Sequence, residues 1–264
     1  MTLAPAQIQS FITDGFIRID DAFPSALAAE ARAVFWNDLR NRGVRRDDPR
    51  TWREPVIRLG MYPQEALVAA ANTPRLHAAF DQLVGPGNWR PCRSMGTVPV
   101  RFPSTEDAGD TGWHIDASFG DAPDFMEWRA NVHSRGRTLL MLFLFSDTTE
   151  ADAPTRIRVG SHRDIARALA PVKGAGLTLR ELVSCITAAP ARPEALATGP
   201  AGTVYLCHPF LVHAAQVHRG SQPRFLAQPP LLPVVDNWLP DILASAVPVA
   251  TAIAQALMHM GPGQ

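Results

Sequence analysis

The stretch Leu139-Leu140-Met141-Leu142-Phe143-Leu144-Phe145 decides the fold, because its seven consecutive residues are all apolar. A strand points successive side chains to opposite faces of a sheet, so a strand that is apolar at every position must be covered on both sides. Such a strand lies in the interior of a sheet and not at its edge. The sequence therefore predicts a core built around this run.

Further strand patterns lie on both sides of the central run. Together with it, they are predicted at residues 95–102, 113–118, 138–146, 156–159, 203–206, 210–215 and 224–234. The 24 prolines and 18 glycines predict many short turns between such strands. Helices before and after a mainly β core indicate an α+β protein, and this number of strands favours a double-sheet jelly roll, also called a double-stranded β-helix.

Helical patterns flank the β core and interrupt it once. We expect a helical N-terminal part (residues 1–90), a β core (92–235) with a helical insertion (162–190), and a C-terminal helix (240–258). Short strands are also predicted at residues 16–19 and 55–59. A chain of 264 residues can form one large β-rich domain, so a single domain over residues 1–264 is expected.

Local capping patterns place the ends of three helices, with four helix termini in all. Pro5 predicts the start of a helix that Gly15 ends. Thr73-Pro74 combines a capping residue with a proline at the first helical position. The sequence Thr178-Leu179-Arg180-Glu181 predicts a capping box inside the insertion.

Composition narrows the class of partner. The 25 basic and 25 acidic residues cancel, so no charge excess points to nucleic acid or to an anionic membrane. No apolar run reaches the roughly 20 residues of a membrane span, and the start of the chain lacks the pattern of a signal peptide. We therefore expect a cytoplasmic protein, a monomer or a homodimer, that acts on a small molecule. Three cysteines without a paired motif argue against a disulfide framework or a zinc knuckle.

The segment Gly112-Trp113-His114-Ile115-Asp116 carries a candidate metal site. Side chains two apart on an extended strand point the same way, so His114 and Asp116 can offer a nitrogen and an oxygen to one point. His213, far downstream, is a candidate third ligand. Two histidines and one carboxylate are the ligands of non-haem Fe(II) oxygenases. Alone, a His-x-Asp pair is a weak signal that occurs by chance in many chains, and it favours an ordinary surface strand over a metal site.

Several motifs in order resemble the phytanoyl-CoA dioxygenase family. They are Phe11-Ile12-Thr13-Asp14-Gly15-Phe16, His114-x-Asp116, Gly160-Ser161-His162, His208-Pro209-Phe210-Leu211-Val212-His213 and Pro223-Arg224. The resemblance spans residues 6–235 and implies a jelly roll that holds Fe(II) through His114, Asp116 and His213. In this family, an arginine eleven residues after the distal histidine pairs with 2-oxoglutarate, and that position is Arg224 here.

The chemistry agrees with this role for Arg224, because a planar guanidinium pairs bidentately with a carboxylate. The resemblance also places Thr97, Arg58 and Arg101 near further cosubstrate or substrate contacts. One rival exists, because His208 also has an arginine, Arg219, eleven residues downstream.

The two histidines of this rivalry are five residues apart, so a regular strand points them to opposite faces and only one can be a ligand. The family pattern favours His213, which follows the apolar run Phe210-Leu211-Val212.

The resemblance implies an Fe(II)- and 2-oxoglutarate-dependent dioxygenase that uses O₂ and releases succinate and CO₂. It would hydroxylate or oxidatively cyclise a small molecule. A halogenase is disfavoured, because such enzymes lack the carboxylate ligand and Asp116 is present. The alternative from another class is a jelly-roll binding protein that is not catalytic or that holds another metal.

Overall fold

The structure is a computed structural model that describes residues 2–258. Met1 and residues 259–264, which the expected single domain includes, lie outside the described residues. The α-helices are α1 (Pro5–Asp14), α2 (Ser25–Asn41), α3 (Glu65–Ala71), α4 (Pro74–Val84), α5 (His162–Leu169), α6 (Leu179–Ala188) and α7 (Pro248–Met258). Within residues 2–258, no helix has the length and apolar character needed to cross a membrane.

The strands are short. They pair in the antiparallel direction, mostly with strands that are distant in the sequence. They are β1 (Phe16–Ile19), β2 (Val56–Leu59), β3 (Val98–Arg101), β4 (Arg129–Ala130), β5 (Leu139–Leu144), β6 (Arg156–Arg158), β7 (Leu177–Thr178), β8 (Glu194–Leu196), β9 (Val204–Cys207), β10 (His213–Ala214), β11 (Leu226–Ala227) and β12 (Pro230–Leu231).

The main sheet has the order β1-β9-β5-β11, and β12 also pairs with β5. β5 lies inside this sheet and is buried at every position, as the run of apolar residues predicts. Its side chains divide by the period of a strand. Leu140, Leu142 and Leu144 belong to one apolar cluster, whereas Leu139, Met141 and Phe143 belong to another.

A second sheet, β10-β6-β8, packs against one face of the main sheet. Ile157 of β6 shares the smaller apolar cluster with Leu142 of β5. His114 joins the edge of this second sheet through an isolated bridge to His213. Two facing antiparallel sheets with an apolar layer between them are the arrangement of a jelly roll, so the predicted fold class is confirmed.

Helices cover the other face of the main sheet. The larger apolar cluster joins Phe143 of β5 to Phe11 of α1, Phe35 of α2 and Phe80 of α4. The C-terminal helix α7 contacts α1, α4 and α5. On the edge of the main sheet, β3 pairs with β2 and reaches β11 through a bridge between Arg101 and Arg224. That bridge brings two arginines together at the sheet's end.

The capping predictions are confirmed. α1 begins at Pro5 and ends at Gly15, which has a φ of +88° and donates its N–H to Phe11 at 3.0 Å. The Thr73 hydroxyl caps α4 by accepting from the Leu76 N–H at 3.2 Å. The box at Thr178 and Glu181 begins α6.

Two predicted elements need correction, and further elements were not predicted. The C-terminal helix begins at Pro248 and not at residue 240, because a proline disfavours the helical conformation of the preceding residue and fits the first helical position. Residues 113–118 form no regular strand and pair only through bridges at His114 and Phe119. The short helix α3 was not predicted, and the insertion 162–190 holds β7 between its two helices.

Candidate active site

His114, Asp116 and His213 meet at one point between the two sheets. One ligand atom from each lies within 4.8 Å of the other two. The two histidines exchange backbone hydrogen bonds of 3.0 and 2.9 Å, and their ring centroids are 4.5 Å apart. Asp116 Oδ1 lies 3.7 Å from His213 Nε2. The bridge between the distant segments therefore assembles a group that could hold a metal ion.

Backbone carbonyls fix both imidazole rings. His114 Nδ1 donates to the Gly112 carbonyl at 2.9 Å, and His213 Nδ1 donates to the Leu211 carbonyl at 3.0 Å. A ring nitrogen that donates holds the proton, so the lone pair lies on Nε2. His213 Nε2 is buried and has no hydrogen-bond partner. An unpartnered nitrogen beside a carboxylate fits a bound metal ion, and the outer carbonyl contact is typical of metal-ligating histidines.

The charge states of the site also suit a metal ion. His213 is 2% exposed, and burial lowers its pKa to about 4, so it is neutral near pH 7 as a ligand must be. Burial of Asp116 opposes ionisation, but Arg137, His213 and His114 together outweigh it, with Arg137 contributing most among them, and keep the Asp116 pKa below its ordinary value. Arg137 Nη1 lies 3.1 Å from Asp116 Oδ2. Asp116 is therefore an ionised carboxylate.

A cavity of about 180 Å³ adjoins the histidines. Its walls include His114 and His213 together with all four residues expected to contact the cosubstrate or substrate, namely Arg58, Thr97, Arg101 and Arg224. Asp116 does not line this cavity, although it lies beside both histidines. The residues that the sequence singled out thus converge on one place.

Arg224 is a buried cation in this cavity, with 3% of its surface exposed. Its Nη2 donates to the Pro99 carbonyl at 3.2 Å and its Nη1 donates to the Ala153 carbonyl, whereas its Nε has no partner. Burial, together with the charge of Arg101, lowers the Arg224 pKa to about 9, so the side chain stays protonated near pH 7. A buried guanidinium with a free N–H favours an anionic ligand.

Asp110 is a cavity residue that the sequence analysis missed. Its Oδ2 accepts from Arg101 Nη2 at 2.6 Å and also from Arg58 Nη2. One carboxylate thus serves two arginines, and Arg224 adds a third positive charge. This surplus of positive charge suits a ligand that carries two carboxylates.

The rival pair His208 and Arg219 lies elsewhere. His208 Nε2 contacts the Val249 carbonyl at 3.3 Å, and its Nδ1 accepts from the Phe210 N–H at 3.1 Å. Its ring lies 4.9 Å from that of His162, and Arg219 is exposed. Both nitrogens of His208 are therefore occupied by the backbone. Neither His208 nor Arg219 lines the cavity.

Arg137 is the second functional candidate that sequence reasoning missed. It lies in the polar loop before β5, and no local pattern pairs it with Asp116. Its proximity to a buried carboxylate became visible only when the chain was folded.

Comparisons with known proteins agree with this geometry. A sequence model of the family described as phytanoyl-CoA dioxygenase matches residues 11–226. HygX from Streptomyces hygroscopicus with nickel and 2-oxoglutarate bound is 18% identical, with a TM-score of 0.56 over 89% of this chain and 90% of that chain. EctD from S. alaskensis with 2-oxoglutarate and 5-hydroxyectoine is 21% identical, with a TM-score of 0.55 over 86% of this chain and 74% of that chain.

At such identities, the solved structures show a shared fold. No curated protein is similar enough in sequence to match. The family match itself covers most of the chain and contains His114, Asp116, His213 and Arg224. The protein therefore belongs to the phytanoyl-CoA dioxygenase family and is an oxidoreductase.

Proposed function

We propose that this protein is an Fe(II)- and 2-oxoglutarate-dependent dioxygenase that hydroxylates a small molecule, with succinate and CO₂ as coproducts. One observation carries the proposal. A single cavity joins the histidines His114 and His213 to the buried Arg224, whose Nε still lacks a partner. A metal-binding group and an anion-binding group at the two sides of a small cavity are what a chelating keto acid requires.

In this proposal, Nε2 of His114, Nε2 of His213 and a carboxylate oxygen of Asp116 hold Fe(II). These nitrogen and oxygen donors suit Fe(II), and the carbonyl contacts of both Nδ1 atoms keep the rings aimed at it. Iron bound in this way activates O₂ for oxidation of a substrate C–H bond. The protein keeps His213 neutral by burying it. The positive charge of Arg137 helps to keep Asp116 ionised.

Arg224 binds the distal carboxylate of 2-oxoglutarate. Its hydrogen bonds to the Pro99 and Ala153 carbonyls fix the guanidinium plane. Its Nε–H has no partner and can therefore donate to the carboxylate of a bound anion. Arg101 and Thr97 line the same cavity and are proposed as further contacts. The Arg58 side chain is 56% exposed, so we assign it a weaker contribution, in which it steers anions inward.

The substrate is proposed to be a small molecule. Structures of two proteins with this fold contain 5-hydroxyectoine and hygromycin B respectively. The balanced overall charge gives no reason to expect nucleic acid as the partner. The cytoplasmic location expected from the sequence stays a prediction.

An anaerobic titration tests the function directly. Apo-protein receives Fe(II) and then 2-oxoglutarate, while the visible charge-transfer absorption of a metal-bound keto acid is recorded. We expect the band in the wild type and in Arg219→Ala, a weakened band in Arg224→Ala, and none in His213→Ala. Absence of the band in the wild type would overturn the dioxygenase proposal in favour of a binding protein for another metal.

A further inference from the structure

Arg137 has an unusual environment for a cation. It is 9% exposed, and its Nε and Nη1 have no hydrogen-bond partner. Its one side-chain hydrogen bond, from Nη2 to the Ala117 carbonyl, is long at 3.4 Å. Burying a guanidinium with unused donors is costly, so this position is maintained by its charge contact with Asp116.

The loop that carries Arg137 is built to hold it. The Ser134 hydroxyl donates to the Arg137 carbonyl at 2.7 Å. The indole N–H of Trp238 donates to the Ser134 and Arg137 carbonyls at 3.1 and 3.2 Å. Gly136 has a φ of +78°, and a Cβ there would lie 2.5 Å from the Ser118 carbonyl oxygen. The hydrogen bonds from Ser134 and Trp238 and the close approach of Gly136 to Ser118 therefore fix the main chain at Arg137, from which the side chain extends to the site.

The two oxygens of Asp116 have different neighbours. Oδ2 lies 3.1 Å from Arg137 Nη1, whereas Oδ1 lies 3.7 Å from His213 Nε2. One oxygen is thus engaged by the guanidinium, and the other turns toward the histidines. Without Arg137, only the longer contact with His213 would distinguish the two oxygens.

We propose that Arg137 is a positioning residue that holds Oδ2 of Asp116, so that Asp116 presents only Oδ1 to the metal. This inference rests on the proposed function. A carboxylate that binds through one oxygen leaves open positions for a chelating keto acid and for O₂, as a two-histidine, one-carboxylate site requires.

The positioning role and a purely electrostatic role predict opposite signs. A guanidinium near a metal ion repels it, so in a titration at a pH high enough to keep Asp116 ionised in both the wild type and the variant, loss of charge alone would strengthen metal binding. Loss of positioning frees Asp116 to rotate and weakens binding. The direction of the change in metal affinity therefore separates the two.

The experiment is a Co(II) titration of the apo-protein, followed by visible absorption, which reports the number and arrangement of the ligands. Wild type is compared with Arg137→Gln and Arg137→Lys. The matched control is Arg135→Gln, which removes a charge from the same loop at a side chain that is 49% exposed. We expect Arg137→Gln to weaken Co(II) binding by about 10- to 100-fold, as loss of an outer partner does, and to alter the spectrum.

Arg137→Lys should recover part of the affinity, and Arg135→Gln should behave as wild type. If Arg137→Gln binds Co(II) as tightly as the wild type or more tightly, with an unchanged spectrum, the inference is wrong. If Arg137→Gln does not fold, Trp238→Phe serves instead, because it keeps an aromatic ring but removes the indole N–H that holds the loop. We expect Trp238→Phe to change the Co(II) spectrum in the same way as Arg137→Gln is expected to, but less. If the spectra of both Trp238→Phe and Arg137→Lys match that of the wild type, the inference is overturned.

The failure of the proposed function has a different signature. If His213→Ala binds Co(II) as the wild type does, the metal site itself is misassigned. If His213→Ala loses Co(II) while Arg137→Gln keeps it unchanged, only the role of Arg137 fails.

Discussion

Among the residues that the structure describes, two pairs of histidines lie ring to ring, and only one of these pairs is suited to a metal ion. The centroids of His114 and His213 are 4.5 Å apart, and those of His162 and His208 are 4.9 Å apart. In the first pair, each Nδ1 forms a hydrogen bond with a backbone carbonyl, and Nε2 remains available on the side of Asp116. In the second pair, each Nε2 contacts a backbone carbonyl, of Ile12 or Val249.

The contrast teaches that the backbone decides which histidine can be a ligand. Three of the four histidines are buried, and burial lowers the pKa of His213, His162 and His208 alike. What differs is the nitrogen that remains available and the presence of a carboxylate beside it. The second pair joins α1 to α7 through these contacts, and both of its rings are fully buried.

Removal of one histidine from each pair should separate the roles most strongly. His213→Ala deletes a ligand, so we expect metal affinity to fall by more than the about 100-fold that loss of an outer partner causes. His208→Ala should leave metal affinity unchanged and lower the free energy of unfolding by about 2–3 kcal/mol, through a cavity and an unpaired carbonyl. Metal titration and urea unfolding on both variants measure this, and equal metal affinities would contradict the assignment.

The two arginines that follow these histidines at the same spacing offer the next contrast. Arg224→Lys keeps the charge but loses the planar fork, so binding of 2-oxoglutarate should weaken by about 1.5–3 kcal/mol, or roughly 10- to 100-fold. Arg219→Lys, at an exposed position, should change nothing. Isothermal titration of the metal-loaded proteins with 2-oxoglutarate decides the matter, and an equal effect of both substitutions would count against the cavity assignment.

Gly15 tests the packing around the second pair. A Cβ at Gly15 would lie 2.4 Å from His162 Nδ1 and 2.8 Å from Leu211 Cδ1, at a φ of +88°. We expect Gly15→Ala to lower the free energy of unfolding by about 2–4 kcal/mol, because overpacking adds to backbone strain. Gly43→Ala is the matched control, since its φ is +82° and no atom lies within 4 Å, and it should cost about 1 kcal/mol. Equal losses in urea unfolding would show that packing against His162 contributes nothing.

The pH dependence of stability tests the burial of His162. Burial lowers the pKa of His162 from 6.5 to about 3, so between these values the unfolded chain binds more protons than the folded one. Stability therefore falls as pH decreases through this window, by at most about 1.4 kcal/mol per pH unit from this group, and the group has no effect above pH 6.5. Urea unfolding of wild type and His162→Gln at several pH values checks this, and parallel curves would refute it.

Much of the fold could be predicted, because its signals are local. The run at residues 139–145 predicted an interior strand, and Thr73-Pro74 predicted the start of a helix. Local pattern failed where a neighbour overrides it. The C-terminal helix begins only at Pro248. Residues 113–118 lie along the end of the second sheet without continuous pairing.

The candidate site was predictable in part for the same reason. His114 and Asp116 are two residues apart, and Arg224 follows His213 at a fixed spacing, so a sequence can show both pairs. Arg137 and Asp110 reach the site from loops whose course depends on tertiary contacts such as that of Trp238. No spacing rule relates such residues to their partners.

The alternation along β5 has a consequence for protein engineering. Its even-numbered leucines share an apolar cluster with Ile157 of the second sheet and with Leu211, two residues before His213, whereas its odd-numbered residues share the cluster that contains residues of the helices. A mutant library confined to the odd positions can therefore search for thermostability without reshaping the cavity, since distant substitutions act almost independently. A library at the even positions changes the apolar layer that contains Leu211, close in sequence to the candidate ligand His213. At those positions, stability and selectivity must be optimised together.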